Sequence, residues 1–424
     1  MKNVLLGLIV ILNMIQVYAK DGDLDLTFNE SGKFNIQLGK QFSILYSVAI
    51  EKNQKIVAVG TSDINFAIIR LNVDGSLDNS FGTKGKVILP ITNISSLSMA
   101  IAIEKDGKIV ITGVSDDQFV VVRVKPNGQL DGTFGTNGVV KFTFGYGIDS
   151  NAVALQKNGK IIIGGDSYAG RALNITRLKI DGNFDPVFTD TIADGVGKVL
   201  IQFDLNAMGK SVAIQNDGKI LICGNIGGFF SVLRLQNNGA LDLDFGPFGL
   251  GYVPIVSGVS SCANSVTIQP DQKIVLGGQS DDKFVLARLN TDGSLDKTFN
   301  QTGFIETQID KKSIIQSVAL QSWDGKIVVA GYSVLNLNKF IVARYTIDGT
   351  LDSTFGNNGI VVTNFAVEPF LGNAANSIAI DSKARKIVAA GYAGKQIAVA
   401  RYIGDSNFCL DKDVFIKELN QKYS

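Results

Sequence analysis

The sequence predicts an all-β, seven-bladed β-propeller with four antiparallel strands per blade. Three observations predict it: a motif that recurs seven times, four short apolar runs in each period, and two chain ends that share one repeat. The motif is clearest in DGSLDNSFGTKGKV at 74–87, which returns as NGQLDGTFGTNGVV at 127–140 and DGTLDSTFGNNGIV at 348–361. The aspartate of its Leu-Asp-x-x-Phe core falls at Asp25, Asp78, Asp131, Asp185, Asp242, Asp296 and Asp352, at spacings of 53, 53, 54, 57, 54 and 56 residues. Two further markers keep the same count. A Lys-Ile pair opens an apolar run at Lys55, Lys108, Lys160, Lys219, Lys273, Lys326 and Lys386, and an Arg closes another at Arg70, Arg123, Arg177, Arg234, Arg288, Arg344 and Arg401.

In the second repeat VILPI at 87–91 precedes AIAIE at 100–104, KIVITG at 108–113 and FVVVRV at 119–124. Such β-rich runs are too short for helices. Asp106-Gly107 joins the second and third runs, echoed by Asn158-Gly159, Asp217-Gly218 and Asp324-Gly325, residues that accept the positive φ of a tight hairpin. Another Asp-Gly or Asn-Gly set, starting at 74, 127, 181, 238, 292 and 348, follows the Arg run. The SVAI-type run is expected nearest the axis, with small positions such as Ser47 and Ala49 or Ser211 and Ala213 lining a channel. The last recognisable strand is QIAVARY at 396–402, whereas the chain opens with LDLTF and then KFNIQL at 33–38. The opening therefore supplies the outer strand that the last blade lacks. An open solenoid would instead need atypical end repeats, and ring closure also hides strand edges. The propeller is assigned to residues 20–404, after a signal segment at 1–19. A tail at 405–424 follows, in which DVFIKELNQK at 413–422 suggests a short helix.

No histidine occurs among the 424 residues, which removes Ser-His-Asp and Cys-His catalysis, His-ligated zinc and the usual base near neutral pH. Lys and Arg number 40 against 39 Asp and Glu, so no basic excess marks a nucleic-acid partner. Lys2, the apolar run from Val4 to Val17 and the small residues of Val17-Tyr18-Ala19 form the pattern of a cleaved secretory signal. The run of about 14 residues is short of the roughly 20 that span a bilayer. Cleavage after Ala19 would give an exported protein (periplasmic, cell-surface or secreted) without an integral membrane span. For Cys223, Cys262 and Cys409, irregularly spaced, buried thiols are the simpler expectation, and one bridge leaving a free thiol is the other.

Seven of the nine arginines occupy one repeat position. Six of them, Arg70, Arg123, Arg177, Arg234, Arg288 and Arg344, stand eight residues before Asp78, Asp131, Asp185, Asp242, Asp296 and Asp352. A blade-internal ion pair or an Arg-to-carbonyl clamp is expected, with motif rings such as Phe81, Phe134 and Phe355 filling the gaps between blades. The alternative, a channel-facing ring of Arg or Asp that binds a polyanion or cation, is disfavoured because a single site should break the symmetry. Each SVAI-type run ends in Glu51, Glu104, Gln156, Gln215, Gln269, Gln321 or Asp381, read as polar turn residues with a channel-mouth cation site as the alternative.

SVAIQNDGKILICG at 211–224, an Arg-Leu strand end and NGALDLDFG at 238–246 together resemble the delta-60 repeat, a family found mainly in bacterial exported or surface proteins. The resemblance covers about residues 21–404 and implies a propeller, but no general catalytic activity. The blades are also similar to NHL-type propellers, a resemblance that implies partner binding. Asp185-Pro186 and Arg401, which no Leu-Asp motif follows, depart from the pattern.

Functional residues are expected where the symmetry fails. Loops joining each outer strand to the next inner strand, and the second strand to the third, share one face and are unusually long at 189–210, 364–376 and 332–339. Phe42 and Phe365 belong to this face, and the candidate ligand residues are Tyr46, Tyr146, Tyr168, Phe203, Tyr332, Phe370 and Tyr392. Aromatics and amides on a rigid ring suit sugar or peptide binding. No catalytic residue, cofactor or metal ligand is assigned. Gly209-Lys210-Ser211 lacks the upstream Gly of a phosphate loop. Asp116-Asp117 and Asp281-Asp282 fall in equivalent hairpin turns, and Asp21, Asp23 and Asp25 lack the Gly and distal Glu of a calcium loop. The expectation is a non-enzymatic scaffold that binds a protein or glycan. The alternative is a propeller hydrolase or lyase acting on polysaccharide or a small ester with carboxylates or a divalent metal, so enzymatic activity stays open.

Overall fold

The computed structural model describes residues 19–91, 96–144, 148–167, 171–188, 196–247, 249–258, 260–334, 337–365 and 372–408. Among them 28 strands, numbered β1 to β28 in chain order, form seven four-stranded antiparallel sheets. Blade 1 shows the plan, with β2 (Ser43–Ile50), β3 (Ile56–Ser62), β4 (Asn65–Leu71) and β5 (Lys86–Leu89) paired in sequence order. Its first strand lies innermost. The seven inner strands, β2, β6 (Ser96–Ile103), β10 (Ile148–Leu155), β14 (Ala207–Ile214), β18 (Cys262–Ile268), β22 (Lys312–Leu320) and β26 (Asn373–Asp381), touch neighbour to neighbour around the ring. These strands are longer than the apolar runs suggest: AIAIE marks only the end of the eight-residue β6.

Middle strands are mainly apolar and buried almost end to end because each blade is covered on both faces. Val57 and Val59 pack with Ile109, Ile111 and Val120 of blade 2, whereas Ile56 and Ala58 pack with Val388, Ala390 and Val399 of blade 7. Seven buried clusters result, one per gap, and each contains one motif phenylalanine. A fully buried Phe contributes about 1.5–3 kcal/mol, so these rings are structural.

Ring closure follows the expected route. β1 (Lys33–Ile36) pairs antiparallel with β28 (Gln396–Ile403), Lys33 opposite Ala400 and Ile36 opposite Ile397. Blade 7 is thus β26, β27 (Lys386–Ala393), β28 and β1. The seam extends upstream of the strand: the Gly22 amide donates to the Ile403 carbonyl at 2.8 Å, and the Asp25 amide to the Arg401 carbonyl at 2.9 Å. Asp21-Gly22 is therefore a seventh member of the Asp-Gly set, Gly22 standing at φ +90° as Gly75 stands at +85°. Cys223 and Cys262 are buried and form no disulfide among the described residues. Residues 1–18 of the signal segment, the helix expected at 413–422 and Cys409 lie outside the described residues. No helix among the described residues is long and apolar enough to cross a membrane.

Candidate functional site

The turns between first and second strands, and the connections from third to fourth, lie on one face, here called lower. There the three sequence markers become one constellation. In all seven blades the Arg Nε donates to the motif Asp Oδ2 at 2.6–2.8 Å, and the marker Lys Nζ reaches the same oxygen at 2.8–3.5 Å. Each guanidinium also lies over the motif phenylalanine, 4.3–4.8 Å from its centroid.

The clamp is not confined to its own blade. Arg Nη1 donates to a backbone carbonyl of the next blade, at Pro126, Ile180, Asn237, Thr291, Ile347, Gly404 or Val73. Arg401, without a motif after it, takes Asp25 from 376 residues upstream. Asp21 accepts from Arg344 Nη2 at 2.6 Å, and Asp23 from the Lys20 amide at 2.8 Å, so all three early aspartates are engaged in local or seam contacts. The strand-end residues serve the clamp where Glu51, Glu104, Gln215 and Gln321 meet the guanidinium at 3.3–3.5 Å. Burial alone would raise the Asp131 carboxyl, but hydrogen bonds from Thr133 and the charges of Arg123 and Lys108 outweigh it and bring its pKa down to about 2.

On the opposite, upper face the inner strands depart from regular pairing. Each contains one β-bulge, where the register skips one residue: Tyr46, Met99, Asn151, Lys210, Asn264, Gln316 or Asn376. A glycine opposite makes the bulge fit: a Cβ on Gly60 would stand 1.9 Å from the Ile44 carbonyl oxygen, and one on Gly331 2.0 Å from that of Ile314. Asn264 Nδ2 and Asn376 Nδ2 donate to the Ile315 and Leu45 carbonyls of the following blades, both at 2.8 Å.

The small inner-strand residues do not simply line a channel, as the alternation suggested. Ser377 Oγ accepts the Val48 amide across the gap at 3.1 Å, and Ser211, Ser265 and Ser317 do the same for Val266, Val318 and Ile378. These hydroxyls stitch blade to blade because bulging brings the next strand's amide within reach.

A cavity of about 570 Å³ occupies the upper mouth, lined from six blades by Tyr46, Met99, Lys210, Asn264, Gln316 and Asn376 with Met208, Cys262, Gln279, Ile314 and Tyr332. Burial, reinforced by nearby Tyr392, raises the phenols of Tyr46 and Tyr332, keeping both as donors at neutral pH. Tyr392 accepts from Asn338 Nδ2 at 3.1 Å. Three of the sequence-expected aromatics, Tyr46, Tyr332 and Tyr392, therefore converge. Phe203 stands elsewhere, edge-on to Tyr252 at 5.8 Å in the packing between blades 3 and 4. Phe42 is exposed and Phe365 is buried against Phe340. Tyr146, Tyr168 and Phe370 lie outside the described residues. Asp116, Asp117, Asp281 and Asp282 all take positive φ, as hairpin-turn residues do. Sequence reading missed Lys210, Asn264, Gln279, Gln316 and Asn376 as mouth residues; the glycine ending each KIVAVG-type run was the available signal.

Segments 53–81, 104–134, 156–188, 215–245, 269–299 and 324–355 each match the domain of unknown function (DUF5122) beta-propeller, one segment in each of six blades. The chain fits a propeller repeat family. The delta-60 likeness of this propeller repeat protein remains one of motif. No curated protein matches it by sequence. Among solved structures, a streptogramin B lyase aligns at 12% identity over 87% of this chain and 97% of its own, with a TM-score of 0.55. A catalytically inactive virginiamycin B lyase from Staphylococcus aureus with quinupristin aligns at 13% over 87% and 98%, with a TM-score of 0.52. Raptor of Chaetomium thermophilum aligns at 11% over 87% of this chain and 29% of its own, with a TM-score of 0.55. At such identities the likeness shows the fold alone.

Proposed function

We propose that this propeller is an exported, non-enzymatic scaffold that holds a protein or glycan at its upper mouth. One observation carries the reading: the repeated charged residues are engaged in the lower-face clamp, whereas the mouth presents side chains that differ from blade to blade. The described residues lining the mouth include amides, phenols and apolar side chains that suit recognition by hydrogen bonding and stacking. The inactive virginiamycin B lyase carries Ala in place of a His, and this chain has no His. Export rests on the segment ending at Ala19; N-terminal sequencing of the mature protein should begin at Lys20. Binding is tested with the native protein and a Tyr46→Ala/Gln316→Ala/Tyr332→Ala variant on glycan arrays and as bait for surface proteins. Selective capture by the native protein alone supports the reading. Capture that the variant retains in full contradicts it.

A further inference from the structure

We infer that the ring opens locally between blades 2 and 3, whatever the mouth binds. Three buried polar side chains face that gap. Val110 of β7 (Ile109–Ser115) packs toward blade 3, so the alternation of the strand turns Thr112 the same way. In β12 (Ala172–Leu178), Leu173 and Ile175 pack toward blade 4, which turns Asn174 and Thr176 back toward blade 2. All three are 0–1% exposed, and Thr112 Oγ1, Thr176 Oγ1 and both amide atoms of Asn174 have no hydrogen-bond partner among the described residues. The gap between blades 1 and 2 shows what the repeat ordinarily places there. Counted from the marker Lys and Arg, the same positions hold Val59, Val120 and Val122, packed in one cluster. One such atom, Thr61 Oγ1, remains on that side.

The stitches are missing from the same gap. Ser211, Ser265, Ser317 and Ser377 each hold an amide of the following blade, but blade 2 has Ala100 at that position. Its bulge residue, Met99, has no amide to reach across as Asn264 and Asn376 do. What holds blades 2 and 3 lies at the lower and outer edges: Arg123 Nη1 donates to the Ile180 carbonyl, and the rings of Phe142 and Phe184 meet edge-on at 5.5 Å. Closure leaves four buried polar atoms unpaired, a cost that water removes once the blades part. Between blades 7 and 1 the same movement breaks the Ser377 and Asn376 bonds. The inner, upper half of the gap between blades 2 and 3 therefore parts first, hinged on the clamp, and widens the mouth beside Met99.

Thiol labelling of the purified protein tests this, with Cys223, fully buried between blades 4 and 5, as the internal standard. Val121→Cys places a thiol at an equally buried point between blades 2 and 3. Global unfolding exposes both thiols together, so an excess rate at the introduced thiol reports local opening. Labelling by iodoacetamide is read peptide by peptide in a mass spectrometer, each rate divided by that of the urea-unfolded chain. The introduced thiol should react at least about tenfold faster than Cys223. Adding Thr112→Val/Asn174→Val/Thr176→Val should remove the excess, and Ala100→Ser, which offers the Val153 amide the missing acceptor, should reduce it. Equal labelling of the two thiols, or an excess that survives the valine set, overturns the inference. Where circular dichroism shows the valine set unfolded, an excess unchanged by Ala100→Ser overturns it instead.

Discussion

On the lower face each blade places the same Lys, Asp, Arg and Phe at nearly the same distances, whereas on the upper face the seven bulge positions hold five residue types. Both features recur in every blade, yet only the first fixes its side chains. A clamp works through pair geometry, so any blade that changed a member would leave a buried charge uncompensated. A bulge works through its backbone and the glycine opposite it, so its side chain is free to differ. Repetition of side chains thus marks what holds the ring, and repetition of backbone alone marks where a ligand can be read.

The contrast can be broken first at the seam. Deleting residues 20–38 removes β1, Asp21, Asp25 and Phe28 together, and the protein should lose its cooperative thermal transition; an unchanged melt would refute the shared blade. Arg344, fully buried between Asp352, Asp21 and the Gly404 carbonyl, comes next. Arg344→Met should cost about 3–5 kcal/mol in urea unfolding, whereas Arg171→Met, at an exposed arginine outside the repeat position, should leave the transition unmoved.

Acid offers a milder test. Asp131 titrates near 2, below its ordinary 3.8, and Asp78, Asp296 and Asp352 are lowered too. A depressed folded pKa means stabilisation that is complete above the unfolded value and lost as pH falls through the folded one. Unfolding free energy from these clamps should stay flat from pH 7 to 5 and fall below about pH 4, and Asp131→Asn should flatten part of that fall. The smallest effect belongs to the mouth. Asn376→Ala, which removes one bond between blades, should cost about 1 kcal/mol.

The ring was legible because three markers each occurred seven times and the chain ends completed one repeat. The Arg-Asp pairs were legible from an eight-residue spacing. Their lysine was visible as a marker but not as a partner, since it precedes a different strand and only the register of Val57 opposite Arg70 brings it near. The mouth was harder. Tyr46, Tyr332 and Tyr392 were found by counting aromatics on one face, and the same count included Phe203, whose contact with Tyr252 depends on burial that the count does not see. A bulge has no residue type of its own, so Lys210 read as part of a failed phosphate loop and Gln316 carried no signal. Only the close approach at Gly60 and Gly331 signals the extra residue opposite.

The division between a face that holds and a mouth that reads is tested most directly by the unfolding free energy of a Tyr46→Ala/Lys210→Met/Gln316→Ala variant. The account predicts a value within about 1 kcal/mol of the native protein, because partly exposed side chains outside the clamp contribute little. A loss as large as that of Arg344→Met would show that the bulge side chains also hold the ring, and would contradict it.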